Sequence, residues 1–396
     1  MALKYRQPDE FARHNQMVAE LWEGYRRGRP RRVPMILNYG IRCRLLDPKL
    51  NQEGYAFRQY FEEPDVMLDA QLKHMYFRAF NVWRDEPMGY PEDGWPVHID
   101  FQNTFEAPWF GCSVIYIGHQ VPDSLEILRD CKARLYDMEI FDPLGPPIMQ
   151  RAIEFFEYFH ARCPAMEYMG RPVLPPKGLP GLGTDGPFTV AFKLRGATEL
   201  CLDIYEDPEY VHDLLSFITD NTIKRIQSVR QYLVDKGYAE WDEFVAPGWG
   251  FADDAVEMLS PKLYREFVLP YHRQLVDTFA NGGPVSMHLC GDATHIYPVL
   301  MEELGARSFD TGFPVDHGAL RKRLGPDVEI HGGPSIMLLR NGTAEAVIQE
   351  TKRILKSGVM EGGKFILREG NNVAPGTPLG HLKAMYDTVK EYGKYD

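Results

Sequence analysis

The chain has 396 residues, 44% of them hydrophobic and 25% charged, which is enough to bury a large core and is ordinary for a globular enzyme. Its 44 basic and 56 acidic residues leave a net charge of −12, which argues against nucleic acid or an anionic membrane surface as a partner. Six scattered cysteines without a Cys-x-x-Cys pair, a polar stretch over residues 1–20 and no run of eighteen apolar residues predict a cytoplasmic protein, with neither a disulfide framework nor a membrane span.

In chain order, residues 1–32 read as a helical extension and 33–39 as a first strand, with a helix over 65–75. Residues 87–147 form a loop-rich insertion. Its aromatic residues Trp95, Phe105, Trp109 and Phe110 fit an apolar lid as well as they fit plain loop packing. A Pro/Gly-rich connection over 171–186 leads into a short helix from Asp185-Gly186-Pro187-Phe188, and Asp207-Pro208-Glu209 opens a long one through Lys236. A strand is expected over 243–246, followed by a Pro-Gly-Trp-Gly turn and a helix from Ser260-Pro261 to Ala280.

The last third has the clearest grammar. Apolar runs at 284–290, 306–310, 327–331 and 364–367 are each followed by a Gly- or Pro-containing turn. Helical periodicity then appears at 293–304, 315–324, 343–357 and 378–392. Successive strand–helix units imply a parallel sheet, and eight of them in one domain over 1–396 fit a distorted (β/α)8 TIM barrel with long loops in its N-terminal half. No Gly-x-Gly-x-x-Gly turn or P-loop opens a helix, which disfavours a doubly wound nucleotide-binding sheet.

On that architecture the strand C-terminal ends converge. They carry Asn38 and Tyr39, Asp185, Asp253 and Asp254, His288 and Cys290, Asp310, His331, then Glu369 and Asn371. His288 and Cys290, two apart on one strand, face the same side and make half of a tetrahedral zinc site. Each member also has a plain structural reading. Asp253-Asp254 fit a helix cap, His331 a loop hydrogen bond and Glu369 an ion pair with Arg368.

Gly186-Pro187-Phe188-Thr189, the Ser260-Pro261 helix, His288-Leu289-Cys290-Gly291 and Gly370-Asn371-Asn372-Val373 together resemble the uroporphyrinogen decarboxylase superfamily. That superfamily includes zinc-containing methyltransferases of one-carbon metabolism. True decarboxylases carry an Arg-Gln-Ala-Gly-Arg-Tyr stretch where this chain has Leu37-Asn38-Tyr39-Gly40-Ile41-Arg42, and a histidine where it has Asn371. The resemblance therefore points to the methyltransferase branch. It implies methyl transfer between a small methylated substrate, such as a methyl ether, and a corrinoid protein or a thiol, with zinc as Lewis acid. It also implies a homodimer.

In that reading His288 and Cys290 hold zinc. The branch's third ligand, a cysteine, falls on Asn371, so Glu369, with His331, Asp254 or Asp310 as alternatives, is expected to complete the set. Asp253 and Asp254 take catalytic roles, and Asn38, Tyr39, Asp185 and Asn371 contact substrate. The alternatives are a metal-independent decarboxylase or lyase of a small acid, gripping carboxylate through Arg42, Arg44 or Arg195, and a non-catalytic binding relative.

Overall fold

The computed structural model describes residues 6–395. Among the described residues ten strands occur in chain order: β1 (Trp95–Pro96), β2 (Val114–Ile115), β3 (Asp123–Ser124), β4 (Glu167–Tyr168), β5 (Arg171–Leu174), β6 (Trp249–Ala252), β7 (Val285–Leu289), β8 (Ala306–Thr311), β9 (Glu329–Gly332) and β10 (Phe365–Leu367). The centre of the chain is the parallel sheet β10-β9-β8-β7-β6, whose spatial order follows the sequence. Helices Tyr297–Glu303, His317–Leu324, Ala344–Leu355 and Leu379–Tyr392 alternate with its last four strands, giving a helix-rich α/β fold.

Among the described residues, regular pairing stops at five strands rather than the expected eight. Beyond β10 the sheet gains a single parallel bridge from Met35 to Leu367, and beyond β6 one from Asp185 to Ala252. Residues 33–39 fail as a strand for a local reason. Pro34 has no N–H to give, and the Met35 N–H goes to the buried Asp85 Oδ2 at 2.7 Å. The other small sheets are β1-β5-β4 and the β2-β3 hairpin.

The two faces of the central sheet differ sharply. Val285, Met287, Phe309 and Ile330 are buried on the helix side, with Tyr297 packed against Phe309 at 5.0 Å between ring centroids. The opposite face carries Ser286, His288, Ser308, Asp310, Glu329 and His331, which line an open cavity of about 670 Å³. Barrel interiors are ordinarily filled by branched apolar side chains; this face sets a row of polar side chains beside Trp249, Phe251 and Pro284 and is reachable by solvent.

Three local expectations are corrected. Residues 243–246 lie at the end of a 3-10 turn, Trp241–Phe244, and the strand is Trp249–Ala252. Gly250 serves that strand by leaving room, since a Cβ there would sit 2.2 Å from Ser286 Oγ. The helix expected over 293–304 starts at Tyr297, because Asp292 Oδ1 accepts from Thr294 N and holds a turn. The helix from Ser260 passes through a π-turn, Tyr264–Val268, before Leu269–Phe279. Pro270, which cannot donate to a carbonyl four residues back, fits that interruption.

In the insertion, Trp95, Phe105, Trp109 and Phe110 are all buried in the core, so they pack the domain rather than forming a mobile lid. No helix among the described residues is long and apolar enough to cross a membrane.

Candidate metal centre at the strand ends

β7 delivers His288 and Cys290 to one side of its C-terminal end, and the 3-10 turn after β6 delivers Asp254. One donor atom from each of these three residues lies within 4.8 Å of the others. His288 Nε2 is 3.1 Å from Cys290 Sγ and 3.8 Å from Asp254 Oδ1. A tetrahedral zinc ion with ordinary bond lengths needs donor–donor edges of about 3.4–3.6 Å, so small adjustments suffice.

The surrounding groups orient all three donors. His288 Nδ1 pairs with Asp310 Oδ2 at 2.7 Å, which turns Nε2 toward Cys290 and Asp254. Arg368 in turn holds Asp310 Oδ2. The Cys290 N–H donates to Asp254 Oδ1 at 2.8 Å, tying that carboxylate to the strand end. The approach is close: Gly312 packs so tightly that a Cβ there would stand 1.5 Å from the Cys290 carbonyl oxygen.

Electrostatics follow from this packing. Burial lowers the basicity of His288, but the Asp310 and Asp254 carboxylates outweigh it and hold the imidazole above its ordinary value. Burial and then Asp254 push the Cys290 thiol up, while the Asn371 amide opposes that by hydrogen bonding. Asp310 is pulled up by burial, yet His288 and Arg368 bring it below the usual carboxylate range. Asp185 is pushed up to about 7 by burial and by the nearby Glu106, Asp254 and Asp253.

The other expected residues have different places. Glu369 is fully buried, accepting at Oε1 from Asn38 N (3.1 Å) and Arg368 Nη2 (3.0 Å), and it stands outside the three-donor group. Burial raises it to about 7 against the pull of Arg368. His331 donates to Glu329 at 2.8 Å on the cavity wall. Of the four candidates for the third position, Asp254 is the one grouped with His288 and Cys290, in place of the first-named Glu369.

Asp253 also departs from expectation. Fully buried, it accepts from Phe188 N (3.2 Å), Thr189 N and Thr189 Oγ1 (both 2.7 Å), and from His272 Nε2 (2.7 Å). It caps the Pro187–Arg195 helix from a distant segment, and all of this carboxylate's bonds are structural. Tyr39 is buried and stacked on His74 with 3° between ring planes, so its ring belongs to the core. Asn38 is exposed at the rim. Asn371 has φ 142°, a strained backbone for a non-glycine residue, and its Oδ1 accepts from Asn372 N at 2.9 Å.

Two residues of the site neighbourhood carry no motif. Arg225, fully buried, pairs with Glu106, and Glu106 Oε1 accepts from Asp185 N at 3.3 Å. Neither stands at a strand end, which is why sequence order gives no hint of them. Among the three arginines considered for carboxylate binding, Arg44 pairs with Glu53 at 2.9 Å and Arg195 with Asp203 at 2.7 Å, while Arg42 donates to Gln102 and Asn103.

Residues 181–392, more than half the chain, match the family model described as Uroporphyrinogen decarboxylase (URO-D). The chain belongs to the uroporphyrinogen decarboxylase family. It is 30% identical over 209 residues to the methylated-thiol–coenzyme M methyltransferase of Methanosarcina mazei, covering 52% of this chain and 51% of that protein. It is 25% identical over 299 residues to the methylcobamide:CoM methyltransferase MtbA of Methanosarcina acetivorans, covering 75% and 79%. A uroporphyrinogen decarboxylase of Crocosphaera subtropica is 28% identical over 195 residues, covering 47% and 49%. The chain thus spans about half the length of the first and third of these relatives.

A solved methyltransferase from Methanosarcina mazei superposes with a TM-score of 0.63 at 16% identity, covering 95% of this chain and 98% of that one, a likeness of fold. Family membership makes the chain one of a set of enzymes.

Proposed function

We propose that this protein is a methyltransferase that moves a methyl group between a small methylated substrate and a corrinoid protein or thiol, at a zinc site held by Asp254, His288 and Cys290. The single observation that carries the reading is the nitrogen–sulfur–oxygen donor set at the strand ends, with Asp310 behind the imidazole. Relatives named as methylcobamide:CoM and methylated-thiol methyltransferases support it. Bound zinc supplies Lewis acidity, polarising the sulfur or oxygen that carries or receives the methyl group.

The chain's own residues do the rest. Asp310 accepts from Nδ1 of His288 and so presents Nε2 as the nitrogen that would bind the metal. Asp185, holding a proton near neutrality, donates a hydrogen bond to the substrate, and Asn38 contacts it at the rim. The five-stranded sheet is one arc of a single-domain (β/α)8 barrel with the donor set at its mouth, and two copies form the working enzyme. A decarboxylase reading has less support. The arginine beside the site, Arg368, is already shared between Asp310 and Glu369.

The test is metal content together with transfer. Purified in zinc-replete medium, the protein is expected to hold about one equivalent and to demethylate methylcobalamin or a methylated small molecule in the presence of an acceptor. Less than about 0.2 equivalents of zinc overturns the metal reading.

A further inference from the structure

A second cavity lies before the strands rather than after them. Along the helix Pro208–Asp235, Ile226, Val229 and Leu233 are buried, while Lys224, Gln227 and Gln231, spaced three and four apart, share another face. That face and Arg230 form one wall of a cavity of about 640 Å³. Phe141, the Trp241–Phe244 turn and the end of the helix Leu269–Phe279 bound it on the other sides.

The charge of this cavity runs against that of the chain. Acidic residues outnumber basic ones 56 to 44, yet no acid lines it, and among the described residues its only charged side chains are Lys224 and Arg230. Neither is ion-paired among the described residues. Nearby acids are engaged elsewhere: Glu243 Oε1 accepts from Glu240 N and Asp220 Oδ1 from Gln274 Nε2, both at 2.8 Å. The Arg230 guanidinium carbon lies 4.8 Å from the centre of the Phe279 ring and 5.4 Å from that of Phe244. Those rings hold the cation in place but offer its N–H groups no oxygen. Nε is buried without a hydrogen-bond partner, and burial lowers the guanidinium's basicity with no carboxylate opposing it. Beside this fixed, unneutralised cation, Phe141 is 85% exposed and Trp241 44% exposed.

We propose that this cavity binds a flat organic anion, an aromatic carboxylate, whose oxygens meet Arg230 with Lys224 beside them and whose ring covers Trp241 and Phe141. A guanidinium pinned by two rings presents its N–H edge, which matches the planar pair of carboxylate oxygens. The ligand's ring gives the exposed aromatics an apolar partner. The volume lies within the range of about 300–1,000 Å³ that small-molecule sites occupy. The turn and the helix end that bound the cavity precede β6 and β7, whereas Asp254, His288 and Cys290 stand at the far ends of those strands. A strand's length, roughly 15 Å, separates the two, so this site is independent of the metal centre.

The experiment is isothermal titration calorimetry of the full chain, metal-free, with 2-naphthoate, its neutral analogue 2-naphthamide, acetate and inorganic phosphate. Naphthoate is expected to bind at a single site, about tenfold or more tightly than the amide, which lacks the charge, or than acetate and phosphate, which lack the ring. Arg230→Gln is expected to weaken it about tenfold or more, and the exposed Lys224→Gln and Trp241→Ala by about threefold or more each, which keeps the test open should Arg230→Gln fail to fold. Cys290→Ala is expected to leave binding unchanged. Amide, acetate or phosphate binding as tight as that of naphthoate overturns the proposal. So does full affinity in folded Arg230→Gln or in both other groove variants, loss of binding in Cys290→Ala, or no heat from naphthoate at about 1 mM.

Discussion

Two adjacent aspartates give the sharpest test of this structure. Asp253 and Asp254 look interchangeable, yet the fold assigns them opposite duties. Asp253 is fully buried and accepts from two main-chain N–H groups at the start of the Pro187–Arg195 helix, the Thr189 hydroxyl and His272 Nε2. Asp253→Ala leaves the two N–H groups and the imidazole without an acceptor in a closed space. At about 1–2 kcal/mol for each stranded donor, the loss is about 3–6 kcal/mol. Asp254 is partly exposed and accepts the Cys290 N–H at 2.8 Å, a group near enough to the mouth to find water. Asp254→Ala is therefore expected to cost about 1 kcal/mol or less. Urea unfolding of the two variants, followed by far-ultraviolet circular dichroism with the metal removed, measures both. Similar losses in the two variants, or a loss below about 1 kcal/mol for Asp253→Ala, refute the division of labour.

Other outcomes follow from the same geometry. Asp310→Asn removes the carboxylate that orients His288, and zinc affinity by chelator competition is expected to fall about 10–100-fold with the fold intact; unchanged affinity counts against the orienting role. Gly312→Ala drives a methyl group into the Cys290 backbone and is expected to cost about 1–3 kcal/mol in urea melts, with zinc retention falling alongside. Asp185 has an ordinary carboxyl value of 3.8 and is held at about 7 in the fold. Between those values the folded chain binds more protons than the unfolded one, so stability falls as pH rises and the loss is complete above about 7. In metal-free protein the melting temperature of Asp185→Asn minus that of the wild type is expected to grow from about pH 4 to pH 7; a flat difference defeats the assignment.

Much of the C-terminal half was legible because its physics is repetitive. Apolar runs at 284–290 and 306–310 become β7 and β8 with little change, since burial of one face against helices writes itself directly into the sequence. β6 was misplaced because Gly248 and Gly250 carry the chemistry of a turn, while Gly250 serves close strand approach instead. The His288–Cys290 pair was readable from its spacing alone. Asp254 was harder to single out, because two adjacent acids of identical type differ only in where a 3-10 turn points them. Glu106 and Arg225 were invisible, because their pairing spans 119 residues and belongs to no motif.

The open cavity beneath His288 has a mechanical consequence. Voids are what pressure removes, and a closed hollow of about 670 Å³ would be a weak point under compression. This hollow opens to solvent, and Ser286, Ser308, Asp310, Glu329 and His331 offer water its partners beside Trp249, Phe251 and Pro284, with room for on the order of twenty molecules. A hydrated hollow has little volume to give up. This sheet is therefore expected to withstand high hydrostatic pressure with its strand-end geometry unchanged, and to move against a liquid cushion rather than a packed core.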